Sequence, residues 1–278
     1  MIELGQQYSV SRLLPLAGLA SSTFYYQKAA LAKDDKHADL KTTIRELYDR
    51  HKGRYGYRRI RAALVRSGMT INHKTVQRLM QELGLKSLVR PKKYRSYRGE
   101  LSKAAPNEID RDFDAERPHQ KWVTDVTEFA VAGQKLFLSP VMDLFNREII
   151  AFTMDTRPSF DLVHSMLKDA LGKLKPEDSP VVHSDQGWQY RLRAYTETLT
   201  ERGLVQSMSR KGNCHDNAAM ESFFGVLKTE YFHLEKFESV EQLRCGLVDY
   251  IRYYNEERIK MWLDGLSPVQ YRTQHAIA

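Results

Sequence analysis

A chain of 278 residues, 42% of them hydrophobic and with a net charge of +8, is long enough for one large domain or several small ones and apolar enough to pack a core. Its two cysteines, Cys214 and Cys245, are far apart and outside any Cys-x-x-Cys, which excludes a disulfide framework and a structural zinc cluster. No apolar run approaches the roughly 20 residues of a membrane span and no charged-then-apolar leader opens the chain, so a soluble protein of a reducing compartment is expected, with no membrane partner.

Charge is uneven along the chain. Residues 1–100 carry 21 Lys/Arg against 8 Asp/Glu, whereas residues 101–278 carry 22 against 27. A polyanion is the expected partner of the N-terminal block. Residues 8–27 read as helix, tight turn, helix. Leu13, Leu14, Leu16 and Ala17 form the first apolar face, Gly18-Leu19-Ala20 the turn, and Ser21 or Ser22 the cap of the second helix. This small helix-turn-helix is assigned residues 1–38.

Residues 39–85 predict three short helices. Leu40, Ile44 and Leu47 repeat at helical spacing, Gly53 and Gly56 break the chain, and a second helix over 57–66 turns Ile60, Ala63 and Leu64 inward. Asn72 then caps a third helix with Val76, Leu79, Met80 and Leu83 on its apolar side and Gly84 beyond its end. A basic outer face makes this a helix-turn-helix-like DNA-binding domain. Its candidate DNA contacts are Arg54, Arg58 and Arg59 around the second helix and Lys74, Gln77 and Arg78 on the third. The plainer reading is a structural module without DNA contact. Residues 86–120 predict a basic linker in which Lys92, Lys93 and neighbouring Lys/Arg alternate with Tyr94 and Tyr97. Such a strip tracks a phosphate backbone or simply stays solvated.

From residue 121 the pattern changes to strands over 121–131, 135–142 and 148–154, a helix over 159–174, a strand over 180–184, a helix over 189–202 and a strand near 204–208. A Gly/Asn-rich loop, 209–217, precedes helices over 218–232 and 239–256. Three strands with short connections predict an antiparallel meander, and the later strands, separated by a helix, predict parallel pairing. The expected fold is α/β, a mixed five-stranded sheet flanked by helices over 121–235, followed by a C-terminal helical extension over 236–278.

Three acids stand out. Asp125 lies inside the first strand, Asp185 ends the fourth just before Gln186-Gly187, and Glu221 opens a helix, with 35 residues between Asp185 and Glu221. Two strand carboxylates and one helix carboxylate can converge on hard divalent cations, which prefer oxygen donors. A pair of such ions clamps the attacking and leaving oxygens of a phosphodiester, so phosphoryl transfer on nucleic acid is predicted. Each acid alone is weak, since a lone Asp on a strand is usually a turn residue and a lone Glu on a helix is usually solvated. Lys228 follows Glu221 by two helical turns, shares its face and is placed to approach DNA, as are Arg210 and Lys211 on the loop. Asp143 reads as a turn residue and His183 as a core histidine. Cys214 and His215 lack the second ligand pair that zinc requires.

The stretches Arg54-Tyr55-Gly56-Tyr57-Arg58-Arg59-Ile60, Trp122-Val123-Thr124-Asp125-Val126-Thr127, His183-Ser184-Asp185-Gln186-Gly187, Asp216-Asn217-Ala218-Ala219-Met220-Glu221-Ser222 and Tyr253-Tyr254-Asn255-Glu256-Glu257-Arg258 resemble the OrfB-type transposases of bacterial insertion sequences, within the DDE transposase and retroviral-integrase superfamily. The resemblance runs nearly end to end. It implies a ribonuclease H-like integrase core in which Asp125, Asp185 and Glu221 hold two Mg²⁺ ions, Mn²⁺ substituting. The implied reaction cleaves element ends and joins the freed 3′-hydroxyl to a new phosphodiester. Implied partners are double-stranded DNA (element ends and target), further copies of this chain in at least a dimer, and an OrfA partner or OrfA–OrfB fusion. The implied location is the bacterial cytoplasm, at the nucleoid. No His/Cys zinc module precedes the catalytic part, unlike in retroviral relatives. Two other classes fit the same residues: a structure-specific metal-dependent endonuclease that cuts without joining, and a non-catalytic DNA-binding regulator of transposition.

Overall fold

The computed structural model describes residue 4 and residues 7–31, 35–89, 105–110, 112–210 and 214–275. Two short helices, α1 (Val10–Leu16) and α2 (Ser21–Leu31), form the first hairpin, with Gly18 at φ +61 supplying the left-handed turn. The expected apolar face is largely absent: Leu14 and Phe24 are buried, but Leu16 is 86% exposed. Two helices this short, the first interrupted by Pro15, have little surface to bury against each other.

The second unit follows its hydrophobic periodicity closely. Helices α3 (Ala38–Arg50), α4 (Tyr57–Arg66) and α5 (His73–Glu82) close around Ile44, Ile60, Leu64, Val76 and Leu79, all fully buried. The Asn72 side chain accepts the Lys74 N–H at 2.9 Å, the expected cap. Ile259, from the far end of the chain, joins this core. The Tyr55 hydroxyl accepts the Ile259 N–H at 2.8 Å, so the unit is docked on the C-terminal part of the chain.

The sheet contains β1 (Lys121–Thr124), β2 (Thr127–Val131), β3 (Gln134–Asp143), β4 (Ile149–Asp155), β5 (Val181–Ser184) and β6 (Val205–Met208). β3 pairs antiparallel with β1, β2 and β4, and β5 is parallel to both β1 and β6. The predicted meander and parallel pair are therefore both present, in a sheet of six strands rather than five. The extra strand arises because the segment 121–131 is broken at Asp125–Val126. There the Val126 N–H donates to the Asp125 carboxylate at 2.7 Å instead of to a neighbouring strand.

Side chains alternate across this sheet with period two. Trp122 and Val182 face α6 (Phe160–Leu171) and α7 (Arg193–Glu201). Val123, Phe129 and Leu138 face α8 (Ala218–Leu227) and α9 (Val240–Glu256). Beyond α8 the chain makes one wide π turn over Lys228–Phe232, and α10 (Pro268–His275) ends the described residues.

Two stretches pack more closely on the sheet than a linker and an extension would. Residues 105–110, read as linker, pack against the sheet: Ile109 is buried in the core on one of its faces, and the Met208 N–H donates to the Pro106 carbonyl at the sheet edge. Helix α9, read as an extension, covers one face of the sheet with Leu243, Leu247, Tyr250, Ile251 and Tyr254. A half-buried sheet needs a layer on each face, and α8 alone is too short to supply one. Among the described residues no helix is long and apolar enough to cross a membrane.

Candidate active site

The β1–β5 register brings two of the three acids together. Lys121, Trp122 and Val123 lie opposite Val181, Val182 and His183. Continuing that parallel register by two residues sets Asp125 beside Asp185, at the carboxyl ends of adjacent strands about 4.8 Å apart. Glu221 sits in the first turn of α8. The start of that helix is tied to the same strand, because Asn217 Nδ2 donates to the Thr124 carbonyl at 3.1 Å, one residue before Asp125.

Electrostatics point to the same convergence. The Asp125 carboxyl is pushed up to about 8, first by burial, then by the charge of Asp185, with Glu221 adding to the rise and Lys228 opposing it. Burial raises Asp185 as well, against the Gly187 N–H that donates to it at 2.8 Å. Carboxylates crowded in this way cannot all ionise without a counter-charge. Among the described residues no three His, Cys, Asp or Glu side chains already converge at metal-ligand distance. The fit to a divalent cation therefore rests on the all-oxygen donor set and on the mutual repulsion that a cation would relieve. Lys228 adds its positive charge beside them, with its ammonium 5.3 Å from the centre of the Phe129 ring.

Several neighbours escaped the sequence reading. Tyr190 is fully buried, its hydroxyl raised by burial and then by the charges of Asp125 and Asp185, so it forms part of the floor under the acids. Asn217 is the strap just described. Asp216, which is buried, accepts hydrogen bonds from Asn107 and from the Arg210 backbone and guanidinium, fixing the loop ahead of α8. The signal for both was their adjacency to Glu221 in the Asp216-Asn217 pair, which spacing alone does not interpret.

Gly187 has no room for a side chain. A Cβ there would stand 2.9 Å from Asp185 Oδ1 and 3.2 Å from Gln189 Oε1. Gly187→Ala is expected to displace the Asp185 carboxylate and to weaken divalent-cation binding by the chain by about ten- to a hundredfold. An unchanged cation titration curve would show that the neighbours give way instead.

The two residues set aside are structural. Asp143 is buried and accepts the His119 and Phe145 N–H groups at 2.8 and 3.0 Å. His183 is fully buried between the Ser207 and Ser209 hydroxyls, and burial holds its imidazole down at about 4, so it is neutral. Side chains at Cys214 and His215 lie outside the described part.

Apart from Lys228, the candidate DNA contacts divide into four sets. Arg58, Lys74, Gln77 and Arg78 are exposed on the helical unit. Arg54 and Arg59 turn inward: Arg54 Nε donates to the Glu230 carbonyl at 3.0 Å and is buried, and Arg59 pairs with the Glu230 carboxylate at 3.3 Å. Unlike the exposed cations, these two are engaged with Glu230 from the far end of the chain, Arg54 through its backbone carbonyl and Arg59 through its carboxylate, and so tie the unit to the core. Arg210 is held by Asp216 and Asp110. Lys92, Lys93 and Lys211 lie outside the described residues.

With this geometry in place, comparisons with known proteins are informative. The family described as an integrase core domain matches residues 115–214 and again 221–275, and an HTH-like domain matches 34–93. The chain is 54% identical to the Escherichia coli protein named as transposase InsK for insertion sequence element IS150, over 98% of this chain and 96% of that one. It is 39% identical to a Shigella flexneri protein named as the transposase for insertion sequence element IS1353, over 97% of this chain but only 53% of that one. A chain of a simian T-cell lymphotropic virus intasome structure aligns over 83% of this chain and 74% of its own, at 17% identity and a TM-score of 0.48.

Proposed function

Since the chain belongs to the insertion-sequence transposases that carry an integrase core, we propose that it cleaves DNA at the ends of a mobile element and joins the freed 3′-hydroxyls to target DNA, with Asp125, Asp185 and Glu221 as its metal-holding carboxylates. The observation that carries this reading is the β1–β5 register, which sets Asp125 beside Asp185 while Asn217 ties the Glu221 helix to the same strand. The donor set suits two Mg²⁺ ions, with Mn²⁺ as substitute. Divalent cations held there would stabilise charge on the attacking and leaving oxygens of a phosphodiester. The chain's own residues do the rest. The strand ends hold two carboxylates at a fixed separation, α8 carries the third, and Lys228 offers a cation to the DNA backbone beside them.

Double-stranded DNA is the substrate, and the exposed helical unit with Arg58, Lys74, Gln77 and Arg78 is its docking surface. Replacing Lys74 and Arg78 together by alanine is expected to weaken binding and flatten the log–log salt dependence by roughly two, about 0.9 for each phosphate left without its cation. An unchanged slope in filter-binding measurements would remove both from the phosphate-contacting set. One set of acids per chain and two DNA ends per element argue for at least a dimer. The Shigella flexneri relative extends well beyond the matched region, which supports action within a longer fused chain, with an OrfA product as the fused or separate partner.

The test is a strand-transfer assay with the full chain, Mg²⁺ and duplexes carrying the element ends. Covalently joined product supports the proposal. Cutting without joining would make the protein an endonuclease, and binding without cutting a regulator.

A further inference from the structure

A cavity of about 750 Å³ lies against α8 on the side that Ser222 faces, and none of the three metal-holding carboxylates lines it. On α8, Ser222 directly follows Glu221 and is turned about 100° from it, and Glu221 is not among the lining residues, so the cavity and the acid open on different sides of the helix. Its occupant is therefore not the scissile phosphate.

Its lining is unusual for a cavity beside a hydrophobic core. Three basic side chains reach it, Arg147, Arg258 and Lys260, against one carboxylate, Asp114. The Arg258 charge is already matched by two hydrogen bonds to Glu230, at 2.6 and 2.7 Å. Among the described residues neither Arg147 nor Lys260 has a carboxylate within ion-pair distance. Lys260 is only 8% exposed, and its ammonium reaches the Tyr254 hydroxyl at 2.5 Å. Burial, followed by the charges of Arg258 and Arg147, holds its amine far below the ordinary lysine value, and an anion bound beside it would relieve that crowding. Arg147 is also kept at φ +60, a left-handed conformation costly for a residue with a Cβ, and such strain concentrates at binding sites.

The rim supplies flat rings. Trp262 is 57% exposed, with the Arg147 guanidinium and the Lys260 amine each 5.9 Å from its ring centre. Phe145 and Tyr271 stand beside it on the same lining. A ligand that carries both a phosphate and a flat ring matches these two features together. An acidic peptide would meet the cations and leave the indole unstacked, and an apolar ligand would leave the cations unmatched. The volume is that of a small-molecule site.

We propose that this cavity is a nucleotide-binding site, with a phosphate between Arg147 and Lys260 and the base stacked on Trp262. Guanidinium groups recognise phosphate through paired donors, and an exposed aromatic ring accepts any base face. The same chemistry is offered by a free nucleotide and by one unstacked unit of a DNA strand. The site is separate from the three acids, so its failure would leave the strand-transfer reading untouched.

Isothermal titration of the full chain with dAMP, deoxyadenosine, inorganic phosphate and a short single-stranded oligodeoxyadenylate tests it. Trp262→Ala and Lys260→Met are each expected to weaken binding of dAMP or of the oligonucleotide by about tenfold or more. Trp262 is mostly exposed, so its substitution reads the site without endangering the fold, and Trp262→Phe should restore part of the affinity. Binding of dAMP assigns the site to free nucleotides, and binding of the oligonucleotide alone assigns it to a DNA strand. The proposal is overturned if neither ligand binds, if both bind with affinity indifferent to the two substitutions, or if inorganic phosphate binds as tightly as dAMP.

Discussion

Replacing Asp185 by asparagine is expected to lower DNA cleavage and joining by about a thousandfold or more, some 4 kcal/mol of transition-state stabilisation, while leaving binding of the element ends unchanged. Asparagine keeps the shape and the oxygen that accepts the Gly187 N–H, so the fold has no reason to change. What disappears is the negative charge that a divalent cation would meet. Wild-type cleavage by this variant in Mg²⁺ would sink the assignment. Asp125 adds a pH signature. Its carboxyl is at about 8 in the folded chain, against an ordinary value near 4. The folded state therefore holds a proton that the unfolded state releases, and this contribution to stability is complete below about pH 4 and lost as the pH rises through 8. In the presence of chelator, Asp125→Asn should be more stable than the wild type, by a margin that grows over this window and then levels off. A pH-independent margin in urea unfolding would show that Asp125 is not crowded by its neighbours.

Glu230→Ala is expected to destabilise the folded chain by roughly 3–5 kcal/mol, the usual result of removing one partner from a buried ion pair. The Glu230 and Arg258 side chains are only 2% and 6% exposed, and their bond is bidentate. Arg59 and the Tyr250 hydroxyl also contact the carboxylate, at 3.3 and 3.1 Å. Burial alone would raise this carboxyl, but Arg258, Arg59 and Tyr250 hold it below the ordinary value. Removing it strands the Arg258 guanidinium in the interior. Because Arg59 belongs to the helical unit, and the Glu230 backbone carbonyl accepts from Arg54 in the same unit, the substitution should also loosen that unit from the core. Hydrogen exchange over 38–85 would rise together with the fall in the urea midpoint. Replacing Glu230 and Arg258 together by apolar residues of similar volume should recover much of the stability, because no buried charge is then left alone. A single Glu230→Ala variant as stable as the wild type would place the docking energy elsewhere.

The sequence and the structure part company where the partner of a residue lies far along the chain. Arg54 and Arg59 follow the pattern of an exposed basic helix face, yet Arg54 meets Glu230 across 176 positions, and no local pattern encodes that meeting. The break in the first strand was equally hidden, because Asp125 takes its own neighbour's N–H, a bond that strand propensity does not register. By contrast, Asn72 and Gly84 mark the ends of α5 through local chemistry alone, a side-chain cap at 2.9 Å and a left-handed residue at φ +70. The alternation of Trp122 and Val123 likewise announces the two faces of the sheet.

By itself the sequence determined most of the secondary structure, the mixed sheet, the basic N-terminal block and the three acids as candidates, since each depends on residue type and on spacing over a few turns. Only the tertiary structure decided which cations face inward, that residues 105–110 and α9 pack on the sheet, and how Asp125, Asp185 and the Glu221 helix are held together. Those outcomes depend on strand register, on the Asn217 strap and on the Glu230–Arg258 pair, contacts between residues remote in the chain that form only when the layers pack.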